Sequence, residues 1–297
     1  MSSSFPPDVI PTLRVVAMPM DTNPAGDVFG GWLISQMDLA AGTTAAFRAR
    51  GRCATVAIDS FTFHEPVVVG DEVSIYTKIT RIGRTSITVH AQTWRRARNT
   101  TDRFKVTQGK FTFVALDDRR KPRPLPPEDG FDTLGPWDEQ SLMSLGRCRD
   151  PADNAASSHA TPRSKGPVQE LSQPSGDLTV RVIAMPNNIN AAGDVFGGWV
   201  MSQMDLAAGS TMSMRTCTKT VTVAIDRVSF LAPMMVGDEL SVYTKIVKVG
   251  RTSATIAVQA WCRPQRQRRL QLVTHGTFVF VALDDNNRPT PVLPAHR

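Results

Sequence analysis

The alternation of apolar and polar positions divides most of the chain into strands and two helices. Residues 73–82 alternate cleanly, with one set of apolar side chains facing one way and a more polar set facing the other. Such a period of two predicts a strand with one buried face. Residues 14–17, 53–63, 86–96 and 104–116 are also predicted to be strands, because β-branched and aromatic residues dominate them.

Residues 31–47 have the spacing of a helix instead. Trp32, Met37 and Leu39 recur at helical intervals among polar residues, and small residues fill the second half of the segment. Small side chains allow close packing, and most of this helix surface is apolar. A curled antiparallel sheet wrapped around the helix would bury it. The sequence therefore predicts an α+β domain with one strand, one long helix and then four long strands.

This whole pattern occurs twice. Residues 14–118 align without a gap onto residues 181–285, and 58 of the 105 aligned positions are identical. A period this long excludes a solenoid and predicts a duplicated domain. We expect a first domain at 1–118, a linker rich in Pro, Ser and Ala at 119–176, and a second domain at 177–297.

Charge and composition narrow the functional classes only a little. The formal net charge of +7 favours an anionic partner, such as nucleic acid, a phosphorylated cofactor or an acidic surface. None of the four cysteines has a counterpart in the other repeat, and no Cys-x-x-Cys spacing occurs. We therefore expect neither a disulfide framework nor a zinc site, and reduced thiols suit a cytoplasmic protein.

The termini and hydropathy give no targeting signal. The first residues have neither a basic segment nor an apolar one, so no secretory signal is predicted. No apolar run approaches the roughly 20 residues that a membrane-spanning helix requires. We expect no membrane association.

A glycine turn leads into each helix. Gly30 and Gly31 stand at the first helix, and Gly197 and Gly198 at the second. The first N–H groups of a helix have no partner within it, and a missing side chain lets a carbonyl group approach them. These glycines are candidates for an oxyanion hole, and an ordinary turn or helix cap is the alternative.

Each helix also carries a single carboxylate, Asp38 or Asp205, between apolar and small neighbours. Partial burial would raise its pKa and make it a base, whereas the ordinary alternative is a solvated helix residue. Asp38 lies seven residues after Gly31, which is ~10 Å along the helix axis. A general base must lie within about 3 Å of the water that it activates. Antiparallel helices would instead bring Asp205 to Gly31, and Asp38 to Gly198.

The repeated motif Asn-x-x-Gly-x-x-x-Gly-Gly-Trp-x-x-Ser-x-Met-Asp resembles that of the hotdog-fold acyl-CoA thioesterases of the acyl-CoA hydrolase family. The resemblance covers residues 14–118 and 181–285. It implies two paired hotdog domains with active sites at their interface, and three such chains assembled as a homotrimer. It also implies hydrolysis of fatty acyl-CoA to free acid and coenzyme A, without a metal or cofactor.

The same resemblance implies roles for the motif residues. Asn23 and Asn190 would orient the water or the thioester carbonyl, and Asp38 and Asp205 would act as general base or nucleophile. Both residues are present in both repeats, so we expect two competent sites in each chain.

A second repeated motif, Gly-Arg-Thr-Ser, is a candidate phosphate cradle because it combines a turn, two hydroxyls and a guanidinium. The resemblance implies that it meets the phosphates of coenzyme A, and a basic hairpin turn is the alternative. The residues are Arg84, Thr85, Ser86, Arg251, Thr252 and Ser253.

Other functions have weaker support. A non-catalytic acyl-CoA binding or sensing protein would not need the two aspartates. Nucleic-acid binding would need aromatic residues among exposed basic ones, and only residues 263–269 suggest it. A histidine-based dehydratase would need a histidine near the helix, but His64, His90 and His275 have no counterparts in the other repeat.

Overall fold

The computed structural model describes residues 10–23, 26–127, 171, 173–190, 193–265 and 267–292. Most of the predicted linker at 119–176 lies outside the described residues. Neither described helix is both long enough and apolar enough to cross a membrane.

The two repeats contain the same elements in the same order. The first repeat has β1 (Leu13–Val16), α1 (Gly30–Ala49), β2 (Cys53–Ile58), β3 (Phe61–Thr62), β4 (Glu72–Ile82), β5 (Ser86–Arg96) and β6 (Arg103–Ala115). The second repeat has β7 (Asp177–Ile183), α2 (Gly197–Thr216), β8 (Lys219–Ile225), β9 (Val228–Ser229), β10 (Glu239–Val249), β11 (Ser253–Arg263) and β12 (Gln271–Leu283). The predicted α+β architecture, two domains that each pack an antiparallel sheet against one long helix, is confirmed.

Each sheet has six strands, and one strand of each comes from the other repeat. The orders are β1-β4-β5-β6-β2-β9 and β3-β8-β12-β11-β10-β7. In the first sheet, Ile58 of β2 pairs with Val228 of β9. In the second, Phe61 of β3 pairs with Ile225 of β8. The two repeats are therefore joined through their sheets as well as through their helices.

This exchange shows that the prediction of one continuous strand at 53–63 was wrong. The segment breaks after Ile58 into β2 and β3, which belong to different sheets. Phe61 is fully buried, and its ring lies against Gly109, where any side chain would overlap it. Apolar content and β propensity are similar on both sides of the break, so they do not indicate which sheet a strand joins.

Helix α1 is slightly longer than predicted. It ends at Ala49 because Arg50 takes a left-handed conformation with φ of 51°, and its N–H bonds to the carbonyls of Ala46 and Phe47. Apolar side chains such as Ile34 and Met37 are fully buried in the core. Helices α1 and α2 approach each other most closely where Gly31 lies against Ser202 and Gly198 lies against Ser35.

Candidate active site

Each aspartate meets the first turn of the opposite helix. The N–H of Gly31 donates to Oδ2 of Asp205 at 2.8 Å, and the N–H of Gly198 donates to Oδ2 of Asp38 at 2.9 Å. The start of each helix thus lies beside the middle of the other, so the two helices are antiparallel. Each site takes its glycines from one repeat and its carboxylate from the other, which is the pairing that the helix spacing predicted.

A threonine holds the second oxygen of each carboxylate. Thr55 Oγ1 donates to Oδ1 of Asp38 at 2.9 Å, and Thr222 Oγ1 donates to Oδ1 of Asp205 at 2.8 Å. The sequence analysis missed both threonines as site residues. The available signal was their identity in the two repeats, but neither strand pattern indicates that a threonine faces a carboxylate on the helix.

Burial makes both aspartates unusually basic. Asp38 is 3% exposed and Asp205 is 2% exposed. Burial raises the pKa of each carboxyl from 3.8 to about 6, although the glycine N–H and the threonine hydroxyl act in the opposite direction. Each carboxylate is therefore charged at neutral pH, but it accepts a proton more readily than an ordinary aspartate.

The glycines permit the close approach of the helices. A Cβ on Gly31 would lie 2.7 Å from the Cα of Ser202 and 2.8 Å from the Cβ of Asp205. A Cβ on Gly198 would lie 2.6 Å from the Cα of Ser35. Neither position accepts a side chain without moving the opposite helix. The second glycine of each turn is therefore required by the helix contact itself.

The first turn of α1 has four N–H groups that lack intrahelical partners by geometry. In the structure, the N–H of Leu33 makes the first regular helix bond, to the carbonyl of Phe29, and the N–H of Trp32 shares that carbonyl. The N–H of Gly31 bonds to Asp205 and thus positions the carboxylate. Gly30, the residue before it, lies next to Thr222: a Cβ there would be 3.3 Å from that of Thr222. Gly197 has the same position beside Thr55.

The two asparagines close the loop before each helix. Asn23 Oδ1 accepts a hydrogen bond from the N–H of Asp27, and Asn190 Oδ1 accepts one from the N–H of Asp194, both at 3.1 Å. Their side-chain oxygens are therefore used to hold the loop. Asn190 also lines the same cavity as Asp38.

Ion pairs fasten each of these loops to the other repeat. Asp194 pairs with Arg120 at 2.8 Å and with Arg52 at 4.0 Å. At the equivalent place, Asp27 pairs with Lys219 at 2.9 Å. The same kind of contact therefore supports both loops, with arginines at one site and a lysine at the other.

A cavity of about 540 Å³ opens beside Asp38. One face of α1, the start of β2 and Phe113 of β6 form most of its wall, and Asn190 and Phe196 close it from the second repeat. Its volume lies within the ~300–1,000 Å³ that is usual for small-molecule sites. The cavity therefore reaches both the Asp38 side chain and Phe196, the residue that precedes the first turn of α2.

The Gly-Arg-Thr-Ser turns lie apart from the two carboxylates. Arg84 is exposed between β4 and β5, and its carbonyl accepts the N–H of Leu125. The backbone carbonyl of Thr85 accepts a hydrogen bond from the N–H of Ala115. The second turn has the same form at Arg251, Thr252 and Ser253. Neither turn contributes to the cavity wall beside Asp38.

Acidic residues elsewhere have structural partners. Asp59 pairs with Arg227 of the other repeat at 3.6 Å, and Asp226 accepts a hydrogen bond from Thr277. In the part of the chain that the structure describes, no group of three or more His, Cys, Asp or Glu residues could hold a metal ion.

Comparison with known proteins finds one family in both repeats, and relatives that match a segment about as long as one repeat. The model of the thioesterase superfamily matches residues 25–101 and again residues 192–268. An uncharacterized acyl-CoA thioester hydrolase of Zymomonas mobilis is 50% identical over 117 residues, which are 39% of this chain and 78% of that protein. The acyl-CoA thioester hydrolase YciA of Escherichia coli K12 is 43% identical over 119 residues, which are 39% of this chain and 90% of that protein.

A solved structure also resembles both repeats together. It is an acyl-ACP thioesterase from Bacteroides thetaiotaomicron, with 14% sequence identity and a TM-score of 0.56, and the match covers 90% of this chain and 96% of that chain. At this identity the likeness concerns the fold, and it extends across the two domains of one polypeptide.

Proposed function

The chain belongs to the thioesterase superfamily, and from that premise we propose that it hydrolyses fatty acyl-CoA to a free fatty acid and coenzyme A at two composite sites. The observation that carries the proposal is the buried carboxylate of one repeat held against the helix N-terminus of the other. The relatives named acyl-CoA thioester hydrolases support the substrate class. They also favour a hydrolase over a non-catalytic acyl-CoA sensor.

In the proposed reaction, a water molecule beside Asp38 or Asp205 gives a proton to the carboxylate and attacks the thioester carbonyl carbon. The carbonyl oxygen becomes an oxyanion, which the N–H of Gly197 or Gly30 and the positive end of the helix stabilise. Collapse of this intermediate breaks the C–S bond, and the thiolate of coenzyme A takes up the proton. A pKa of about 6 suits a base that works near neutral pH.

Direct attack by the carboxylate is the other possible route. It would break the C–S bond, release the thiolate of coenzyme A and form a mixed anhydride between the acyl group and Asp38 or Asp205. Water would then hydrolyse the anhydride to the free acid and restore the aspartate, and the thiolate would take up a proton. Both routes use the same residues. In either route, Asn23 and Asn190 are proposed to orient the carbonyl or the water from the loop that they close.

We propose that the Gly-Arg-Thr-Ser turns hold the phosphates of coenzyme A. The support is the exposed guanidinium of Arg84 and the matching turn at Arg251. Replacing both arginines with alanine should raise KM for acyl-CoA several-fold and leave kcat nearly unchanged, because the lost contact binds the ground state and the transition state equally. An unchanged KM in steady-state assays would show that the turns do not bind coenzyme A.

A homotrimer of chains is proposed from two exposed apolar patches at equivalent places in the repeats. The first patch consists of Val16, Met18, Val68 and Val69, and the second consists of Ile183, Met185 and Val236. A chain with two such patches can offer one to each neighbour and close a ring. Light scattering should give three times the chain mass of 32.5 kDa. A mass of one chain would contradict the trimer.

The catalytic assignment can be tested by thiol release from acyl-CoA. The double variant Asp38→Asn/Asp205→Asn should lose about 10²–10⁴-fold in kcat/KM, which is the usual contribution of a general base. Each single variant should keep the activity of the other site. Asp59→Asn is the matched control, since this carboxylate pairs with Arg227 outside the site. Full activity in the double variant would disprove the assignment.

A further inference from the structure

The two sites share their proposed catalytic residues but differ at positions that line the cavity beside Asp38 and at their counterparts in the second repeat. This cavity, between α1 and the start of β2, is the groove of the Asp38 site. Three positions of its wall have hydroxylated counterparts at the Asp205 site. The pairs are Ala46 and Ser213, Gly51 and Thr218, and Cys53 and Thr220.

The groove at Asp38 presents mainly apolar surface. Leu39, Ala46 and Phe113 line it, together with the buried side chain of Cys53. Burial raises the pKa of the Cys53 thiol to about 11, so this side chain is neutral and behaves as a small apolar group. An extended hydrocarbon chain fits such a wall.

The polar groups of the same groove already have partners. Thr55 donates to Asp38, Asn190 accepts from the Asp194 backbone, and Arg52 pairs with the Asp194 carboxylate. They therefore offer little to the two amide groups of a pantetheine arm. The apolar acyl part of the substrate is the better occupant of this groove.

At the Asp205 site, a hydrogen bond spans the equivalent position. Ser213 Oγ on α2 lies 3.2 Å from Thr220 Oγ1 on β8, where the first site has Ala46 and Cys53. A hydrocarbon chain that passed here would have to separate the two hydroxyls or remove them from water. Leaving buried polar groups without partners is unfavourable, so a long apolar chain is excluded more strongly than a short or polar one.

From this difference, and resting on the proposed thioesterase function, we propose that the two sites of one chain divide the substrates by acyl group. The Asp38 site takes long apolar acyl chains. The Asp205 site takes short or hydroxyl-bearing acyl groups, and Ser213 and Thr220 determine that preference. One chain thereby covers a wider range of acyl-CoA than either site alone.

The first experiment measures each site separately. Asp205→Asn leaves only the Asp38 site, and Asp38→Asn leaves only the Asp205 site. For each variant, kcat/KM is measured with butyryl-CoA and dodecanoyl-CoA. The ratio of kcat/KM for dodecanoyl-CoA to kcat/KM for butyryl-CoA should be at least about tenfold higher for the Asp38 site, since even small changes in an apolar pocket discriminate between substrates to this extent. Equal ratios would overturn the proposal.

The second experiment exchanges the groove residues. We expect a higher ratio of kcat/KM for dodecanoyl-CoA over butyryl-CoA when Ser213→Ala/Thr220→Cys is made in the Asp38→Asn background. We expect a lower ratio when the reciprocal exchange, Ala46→Ser/Cys53→Thr, is made in the Asp205→Asn background. Each exchange is the matched control for the other, and thermal unfolding reports whether the variants remain folded. A change of the same factor for every acyl length would mean that the groove holds the thiol arm, and it would overturn the proposal.

The outcomes separate the two levels of inference. If the double aspartate variant retained full activity, the proposed catalytic sites would be wrong. If it were inactive and the two single-site enzymes had the same acyl profile, the catalytic assignment would stand and only the division of substrates would fail.

Discussion

Some residues of the two composite sites are identical in the two repeats, and others differ. Around each carboxylate the residues are the same in both sites: the glycine turn, the aspartate, the threonine and the loop asparagine. Farther along the groove the repeats differ: Ser213 lies beside Thr220 of β8, where the first repeat has Ala46 and Cys53. The residues that surround the carboxylate are therefore unchanged between the copies, whereas the residues along the groove have diverged.

The first prediction tests the helix contact that both sites share. Gly31→Ala should reduce kcat/KM of the Asp205 site by about 10²–10³-fold, comparable to loss of an oxyanion-hole donor, because the new Cβ would displace the carboxylate. Gly198→Ala should do the same to the Asp38 site. The measurement is thiol release in the single-site backgrounds.

The matched control is Gly42→Ala on the same helix, measured in the Asp38→Asn background because Gly42 lines the cavity beside Asp38. A Cβ there would lie 3.5 Å from the Phe113 ring, which is an ordinary contact. Its unfolding free energy should be unchanged or higher by ~0.5–1 kcal/mol, since alanine favours a helix interior over glycine. If Gly31→Ala were as stable and active as wild type, the close helix contact would not matter for the site.

The second prediction concerns stability. Each folded aspartate has a pKa of about 6 against 3.8 in the unfolded chain, so the folded state holds its protons more tightly. The contribution to stability is greatest below about pH 4 and falls as pH rises through about 6, by ~3 kcal/mol for each carboxyl. Asp38→Asn should therefore raise the unfolding free energy at pH 7.5 and weaken its pH dependence, as measured by urea unfolding. A less stable Asp38→Asn at that pH would contradict this sign.

The third prediction concerns activity and pH. The proposed base must be deprotonated, so kcat/KM should fall about tenfold per pH unit below a midpoint near 6. Because both aspartates have the same kinds of partner, the two single-site enzymes should share this midpoint. A pH-rate profile of each single-site enzyme measures the midpoint. Clearly different midpoints would show that the two aspartates have different pKa values although their hydrogen-bond partners are of the same kind.

The smallest expected effect is at the loop ion pairs. Arg120→Ala should weaken only the Asp38 site, since Arg120 pairs with Asp194 in the loop of Asn190. Lys219→Ala is its counterpart at the Asp205 site. Both pairs are partly exposed, so a loss of ~1 kcal/mol or less, and a change of kcat/KM of a few-fold, is expected. Equal effects of Arg120→Ala on both single-site enzymes would mean that the pair stabilises the whole fold.

Several elements could be predicted because local chemistry decides them. The observed bounds of β5 match the prediction of 86–96, because a glycine turn precedes this strand and marks where it begins. The prediction of α1 missed only its ends, since helix termini depend on caps such as the left-handed Arg50. The aspartates and glycines were recognisable because they break the local pattern of an apolar helix.

Other features depended on contacts between distant parts of the chain. The duplication, the helix, and the need for two repeats to complete one site follow from the sequence alone, since they rest on spacing along one helix and identity between copies. The tertiary structure decided that β3 and β9 cross between sheets, that Thr55 and Thr222 hold the carboxylates, and that Gly31 donates to Asp205. Packing of the two helices brings Gly31 to Asp205, and packing of each helix on the sheet of its own repeat brings each threonine to its aspartate. No local periodicity indicates either contact.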